Sequence, residues 1–423
     1  MTPAHPSHIL IVGAGAAGLL AARTLADAGR QVTLLEARER LGGRIYALPV
    51  ADFGYAAEGG PEFVHGSAKL TRTLVEEAGL DLAPTGGRRL ELKDGRLTTR
   101  EAALAGEERL AAALAGLKAD LPIAVFLERH FAGETFAPLR RNITRMVEGY
   151  DAADPARAST FALRDEWLGE GLEGHGRVAQ GYGALIDFLA RACRARGVSL
   201  HLGAEVVALE AAGNVTRARL RDGALIEADA AVLTPPLPVL EQIALPPDLA
   251  EAVHIGVRDI GHGNVVKLLL RFRLPWWAER HADLGFLRSG ARVPTWWTQY
   301  PARHAVLTGW FAGPKADTVA ALSEDALIAM GLASLAQIFA RPVADLRREL
   351  VAARAIDWGR DPFARGAYSY ATPETPAARA RLSEAFGAIL LAGEALYPGP
   401  DMGTVEAALA SGKSAAARLL QSS

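Results

Sequence analysis

Residues 8–44, HILIVGAGAAGLLAARTLADAGRQVTLLEARERLGGR, constrain this chain more than any other stretch. His8–Val12 reads as a short buried strand, Gly13-Ala14-Gly15-Ala16-Ala17-Gly18 as a GxGxxG turn and Ala16–Ala28 as an apolar helix. Gln31–Leu35 reads as a second strand, ending at the acid Glu36. The spacing has a physical reason. Gly13 permits a tight strand-to-helix turn, Gly15 lets the backbone approach a diphosphate, and Gly18 lets helix and strand pack closely. The free N–H groups at the start of the helix, around Ala16 and Ala17, then face the negative charge. Glu36, about twenty residues past the turn, is placed to accept hydrogen bonds from a ribose. Strand, turn, helix and acid together predict an α/β, Rossmann-like dinucleotide-binding domain.

The turn does not distinguish NAD from FAD. Glu39-Arg40-Leu41-Gly42-Gly43-Arg44 follows the second strand, and two glycines with an arginine can return N–H groups and a guanidinium to the same phosphates. The chain has 423 residues, 50% of them hydrophobic, so it can bury a large core and predicts two domains or three. Its 46 basic and 48 acidic residues nearly cancel, which argues against a nucleic-acid or acidic-membrane partner. The single cysteine, Cys193, rules out an intrachain disulfide and fits a reducing compartment. It shares a helix face with Leu185, Ile186 and Leu189, which predicts a buried structural thiol. The longest apolar run, Ile9–Ala22, is short for a membrane span and is broken by three glycines. No basic residue other than histidine precedes it, so it does not read as a signal peptide. The expectation is a soluble, cytoplasmic protein. No metal-ligand spacing, Ser-His-Asp order or P-loop stands out.

Three remote stretches read as parts of the same nucleotide domain. Gln180-Gly181-Tyr182-Gly183 leads a helix through Arg196, and residues 198–236 alternate like a β-meander with turns at Gly213-Asn214 and Asp222-Gly223. Ala231–Leu233 is a buried strand ending at Thr234-Pro235-Pro236. Ala388–Leu391 is another strand, followed by Gly393-Glu394 and a last helix from Gly403. An acid and helix N–H groups are again offered to a cofactor. The expected division is therefore a discontinuous cofactor domain, residues 1–70, 176–240 and 386–423, and a mixed α+β substrate domain, residues 71–175 and 241–385. Helical spacing is read across Leu70–Asp120 and Leu121–Trp167, and strands at VVKLLLRF and HAVLTGWF.

With these motifs in order, the chain resembles the flavin-containing amine oxidases, most closely the branch of polyamine oxidases and flavin-type histone lysine demethylases. Gly59-Gly60-Pro61-Glu62-Phe63-Val64-His65-Gly66 is similar to that family's flavin-side segment, although Phe63 stands where the family has Trp. Trp358 to Tyr370, WGRDPFARGAYSY, resembles its Trp-x-x-Asp-Pro block, and Gly393-Glu394 with Gly403-Thr404-Val405-Glu406 its closing motif. The resemblance covers nearly the whole chain. It implies the amine oxidase fold and FAD contacts at Gly13, Gly15, Ala16, Ala17, Gly18, Glu36, Ala37, Arg38, Gly43, Arg44, Gly60, Pro61, Glu62, Val206, Trp358, Gly393, Glu394, Gly403, Thr404 and Val405. Ala367 stands where monoamine oxidases carry the cysteine that binds flavin, so the FAD is expected to be non-covalent. Thr404 stands where they place a second cage tyrosine, leaving Tyr368 of the pair. Ala395-Leu396-Tyr397 departs from the family's Glu-His pattern.

Lys267 lies inside an apolar strand. By itself it reads as an edge lysine reaching solvent or as an ion pair, and the resemblance implies instead the active-site lysine that holds a water beside the flavin. Tyr368 is the other catalytic candidate. Glu62, His65, Tyr368 and Thr404 are the candidate substrate contacts, a carboxylate suiting a cationic amine. Trp276, Trp277, Trp296, Trp297 and Trp310 read mainly as core. The implied reaction is oxidation of an amine C–N bond by hydride transfer to FAD, giving an imine, then a carbonyl, with oxygen reduced to hydrogen peroxide. Secondary or polyamine-like amines fit best. An L-amino-acid oxidase, a C–C desaturating dehydrogenase of the same fold, or a flavin-bound protein without turnover are the alternatives.

Overall fold

The computed structural model describes residues 7–93, 95–99, 104–168, 175–212 and 215–421. Its first sheet is parallel and five-stranded, in the order Ile389–Leu391, Ala230–Leu233, His8–Val12 (β1), Gln31–Leu35 (β2) and Ser199–His201. β1 sits in the middle, so both of its faces must be apolar. Ile9 and Ile11 point into a cluster with Leu19 and Leu25 of the helix Ala16–Asp27 (α1), Leu185 and Leu189. Leu10 and Val12 point into a second cluster with Leu233, Leu249 and Leu391. Cys193 is fully buried in the first cluster, its thiol donating to Leu19 O at 3.4 Å.

The second sheet has seven strands, ordered Leu350–Asp357, Val265–Phe272, Val306–Ala312, Thr295–Trp297, Leu284–Arg288, Arg88–Lys93 and Arg96–Thr98. Neighbours are antiparallel except Arg88–Lys93, which runs parallel to Leu284–Arg288. Alternation along Val265–Phe272 assigns its faces. Val266, Leu268 and Leu270 enter a core beneath the helix Glu324–Phe339, whereas Val265 and Lys267 face a cavity. A helical cap comprising Ile123–His130, Ala137–Tyr150 and Thr160–Leu168 packs around Phe126 and Phe131.

Two expectations are corrected. Leu70–Asp120 is not uniformly helical: Leu82–Pro84, Arg88–Lys93 and Arg96–Thr98 are strands. In RRLELK, Leu90 alone is buried against the sheet core, and ladder pairing overrides the helix-forming composition. Ser199–His201 leaves the meander and becomes an outer strand of the parallel sheet, so the meander proper is Val206–Ala212, Val215–Leu220 and Leu225–Ala228. The Gly213-Asn214 turn lies outside the described residues. Among them, no single helix is long and apolar enough to cross a membrane.

Candidate active site

Gly13 leaves β1 at φ +97°, and a Cβ on Gly18 would sit 1.9 Å from Gly13 O, so the turn needs glycine at both places. Gly18 is a packing residue that does not border the cavity. The second glycine motif closes onto the first, Gly42 N donating to Ala14 O at 2.9 Å. Glu36 is buried and accepts from Ala14 N at 2.8 Å and Arg38 N at 2.9 Å. α1 begins with no side-chain cap and no acid in its first turn, leaving its N–H groups free for an anion.

The other expected cofactor residues border one continuous cavity of about 1970 Å³: Gly13, Gly15, Ala16, Ala17, Glu36, Ala37, Arg38, Gly43, Arg44, Gly60, Pro61, Glu62, Val206, Trp358, Gly393, Glu394, Gly403, Thr404 and Val405. They come from segments hundreds of residues apart. Arg44 donates to Ala367 O at 2.8 Å and to Glu394 Oε1 at 2.7 Å, and Ser369 Oγ adds a donor to the same oxygen at 3.1 Å. Glu394 Oε2 is buried with no partner among the described residues. An acceptor left open in this cavity, next to uncapped helix N–H groups, fits the hydroxyl-bearing chain and diphosphate of FAD. Ala367 offers no thiol for a covalent link.

Lys267 is 1% exposed, so it does not reach solvent. Its Nζ donates to Gly60 O and to Glu62 Oε2, both at 3.0 Å. Glu62 accepts further from Trp297 Nε1 at 3.1 Å and from Gln299 Nε2, and Arg177 Nε lies 3.4 Å away. Burial pushes the Glu62 carboxyl pKa up, but Lys267 and Arg177 outweigh it and hold the group below its ordinary value. This corrects the expectation that Glu62 meets the substrate's charge. Both carboxylate oxygens are already taken by protein donors, and its role here is to anchor Lys267.

His65 Nδ1 lies 3.2 Å from His175 Nδ1 and 3.1 Å from the Tyr150 hydroxyl. Burial, with His175 beside it, lowers its pKa to about 4, so the ring is neutral near pH 7. Tyr368 borders the cavity and donates its hydroxyl to Tyr150 O at 2.6 Å. Thr404 also borders it, but its hydroxyl is used by the backbone, donating to Asp401 O at 2.6 Å and accepting from Ala407 N at 3.2 Å. Asp151 and Glu166 both border the cavity, close enough for their carboxyls to perturb one another. Burial raises both carboxyls, Glu166 to about 7, and Glu166 raises Asp151 further. Of the tryptophans, Trp276, Trp277 and Trp296 belong to the core, while Trp297 and Trp310 border the cavity.

Arg177, Gln299, Tyr150, His175, Asp151 and Glu166 were not identified by reading the sequence. Each sits in a segment without a local motif, and only chain crossing brings it to the site.

The family model described as "Flavin containing amine oxidoreductase" matches residues 16–420. Polyamine oxidase 5 of Oryza sativa subsp. japonica is 29% identical over 426 residues, covering 93% of this chain and 83% of that protein. Among solved structures, cyclohexylamine oxidase from Brevibacterium oxydans superposes with a TM-score of 0.82 at 20% identity, covering 98% of this chain and 99% of that one. Wild-type putrescine oxidase bound to putrescine gives a TM-score of 0.77 at 22% identity, with 98% and 99% covered. The two structures are likenesses of fold.

Proposed function

The chain belongs to the flavin containing amine oxidoreductase family and is an FAD-dependent amine oxidase, and from that premise we propose that its substrates are secondary or polyamine-like amines carrying a second positive charge. The supporting observation is the Asp151–Glu166 carboxyl pair, which borders the cavity together with Tyr368; burial raises that tyrosine's pKa most, and the charge of the pair adds to it. An incoming ammonium would lower the pair's pKa, so that the Glu166 proton passes to solvent and the cation binds the resulting carboxylate.

When bound, FAD supplies the hydride acceptor for C–N oxidation, and oxygen restores it with release of hydrogen peroxide. The chain supplies orientation and a dry surface. Tyr368 forms one wall, its ring held by the hydroxyl bond to Tyr150 O. Neutral His65 can hydrogen-bond without repelling a cationic substrate. Lys267, held by Glu62 and Gly60 O, presents a fixed ammonium on the wall formed by the Val265–Phe272 strand.

Anaerobic bleaching of the flavin tests the substrate class. A linear di- or triamine should reduce the flavin at lower concentration than an aryl monoamine, and a free L-amino acid should be inert. Rapid reduction by an L-amino acid with polyamines inert would overturn the substrate class and leave the oxidase standing.

A further inference from the structure

Arg379 projects from the helix Thr375–Leu382 into the cavity that also holds Gly393, Glu394 and Met402. Among the described residues its Nη2 meets only the Met402 thioether, a weak acceptor, at 3.1 Å. Its Nε is buried without a hydrogen-bond partner among the described residues. The neighbouring arginines of the cofactor half are already committed: Arg38 to Asp361, Arg44 to Glu394 and Arg221 to Glu205. Arg379 feels the charge of Glu394 without bonding to it, and Glu394 Oε2 is itself unpartnered. The two open groups have opposite charge and do not satisfy one another. Leaving either so in a buried site is costly.

A ligand with anionic oxygens for the guanidinium and hydroxyl hydrogens for the carboxylate would satisfy both. A polyol phosphate has this chemistry. The position agrees, because Thr234-Pro235 and Gly393-Glu394, at the carboxyl ends of two parallel strands, line the same cavity. Ligands of open α/β sheets bind beyond that edge. We propose that Arg379 binds the diphosphate of FAD, adding a side-chain cation to the uncapped start of α1. The proposal rests on the FAD reading.

The test removes flavin from the holoenzyme and rebinds FAD, FMN and riboflavin, following flavin fluorescence, in wild type, Arg379→Met and Arg379→Lys. Arg379→Met should raise the FAD Kd about tenfold or more, the loss of one charge-assisted contact. Riboflavin, which has no phosphate, should bind the variant as it binds wild type, and Arg379→Lys should recover part of the FAD affinity. An FMN loss would assign the contact to the ribityl-side phosphate, and an FAD loss without an FMN loss to the adenylate side; either supports the proposal. Wild-type FAD affinity in Arg379→Met, or equal losses for FAD and riboflavin, would overturn it. Should Arg379→Met not fold, Arg379→Gln decides: weaker FAD with unchanged riboflavin supports the proposal, and unchanged FAD overturns it. A wild-type protein that binds no flavin would overturn the FAD reading too, a result distinct from a variant that binds FAD as well as wild type.

Discussion

A lysine in an apolar strand must find an anion or give up its charge, and Lys267 finds Glu62 at 3.0 Å. Breaking a buried pair from one side costs about 3–5 kcal/mol when the remaining charge is left uncompensated. Glu62→Gln strands both Lys267 and Arg177, whereas after Lys267→Met the Arg177 guanidinium still faces Glu62 at 3.4 Å. Lys267→Met and Glu62→Gln should therefore each destabilise the fold, while the double variant loses less than the sum of the two in a denaturation cycle. Lys267→Met should also slow flavin reduction, reoxidation or both in rapid-mixing kinetics. Wild-type rates in both half-reactions would leave Lys267 a structural ion. Glu166 carries a second residue-scale prediction. With its pKa raised to about 7, its carboxyl is neutral below that pH and anionic above it. Affinity for a diamine should thus rise as pH increases through about 7, and Glu166→Gln should flatten that rise while leaving a monoamine's profile as it was. Identical profiles for the two amines in wild type would exclude Glu166 from charge recognition.

At the scale of elements, the ends of helices do much of the positioning. The start of α1 stays uncapped for the cofactor, whereas the Val405–Gln421 helix is capped by Thr404, whose Oγ1 accepts from Ala407 N. Thr404→Ala should cost about 0.5–2 kcal/mol, the usual worth of such a cap, and Thr404→Ser should restore most of it in thermal unfolding. Gly18→Ala acts on the contact between α1 and β1, where the added carbon would lie 1.9 Å from Gly13 O. The turn must then open, and the variant should purify with little flavin. A fully flavinated Gly18→Ala protein would show that the turn tolerates displacement. The Leu90 strand shows how an element can escape its composition. RRLELK contains good helix formers, yet its neighbour Leu284–Arg288 supplies a ladder and a buried face.

For the whole molecule, the cavity is lined by segments from Gly13 to Val405, so FAD bound there should tie the fold together. At a ligand concentration a hundredfold above Kd the gain is about 2.7 kcal/mol, and Tm should climb with added FAD. Flavin should leave with acid-precipitated protein's supernatant, because Ala367 cannot form a thioether. pH acts through opposing groups. Glu58, raised to about 7 by burial, holds a proton in the folded state that the unfolded chain releases above about 4.5, so its contribution to stability falls as pH rises through this window. His65 and His262, both lowered to about 4, do the reverse, and stability falls as pH drops from about 6.5 towards 4. Glu58→Gln should therefore make Tm rise more steeply with pH between about 5 and 6.5. What the sequence determined by itself was local: GxGxxG with Glu36 on time, the two-faced strand at Ile9–Val12, and the motifs from Trp358 to Val405, because each is a short-range pattern of backbone freedom and burial. Tertiary structure alone decided the partners of Glu62. Its donors Lys267, Trp297 and Gln299 lie 205, 235 and 237 residues away, and no periodicity within either segment encodes which side chain will stand opposite when the second sheet closes over the first glycine-rich loop's neighbour.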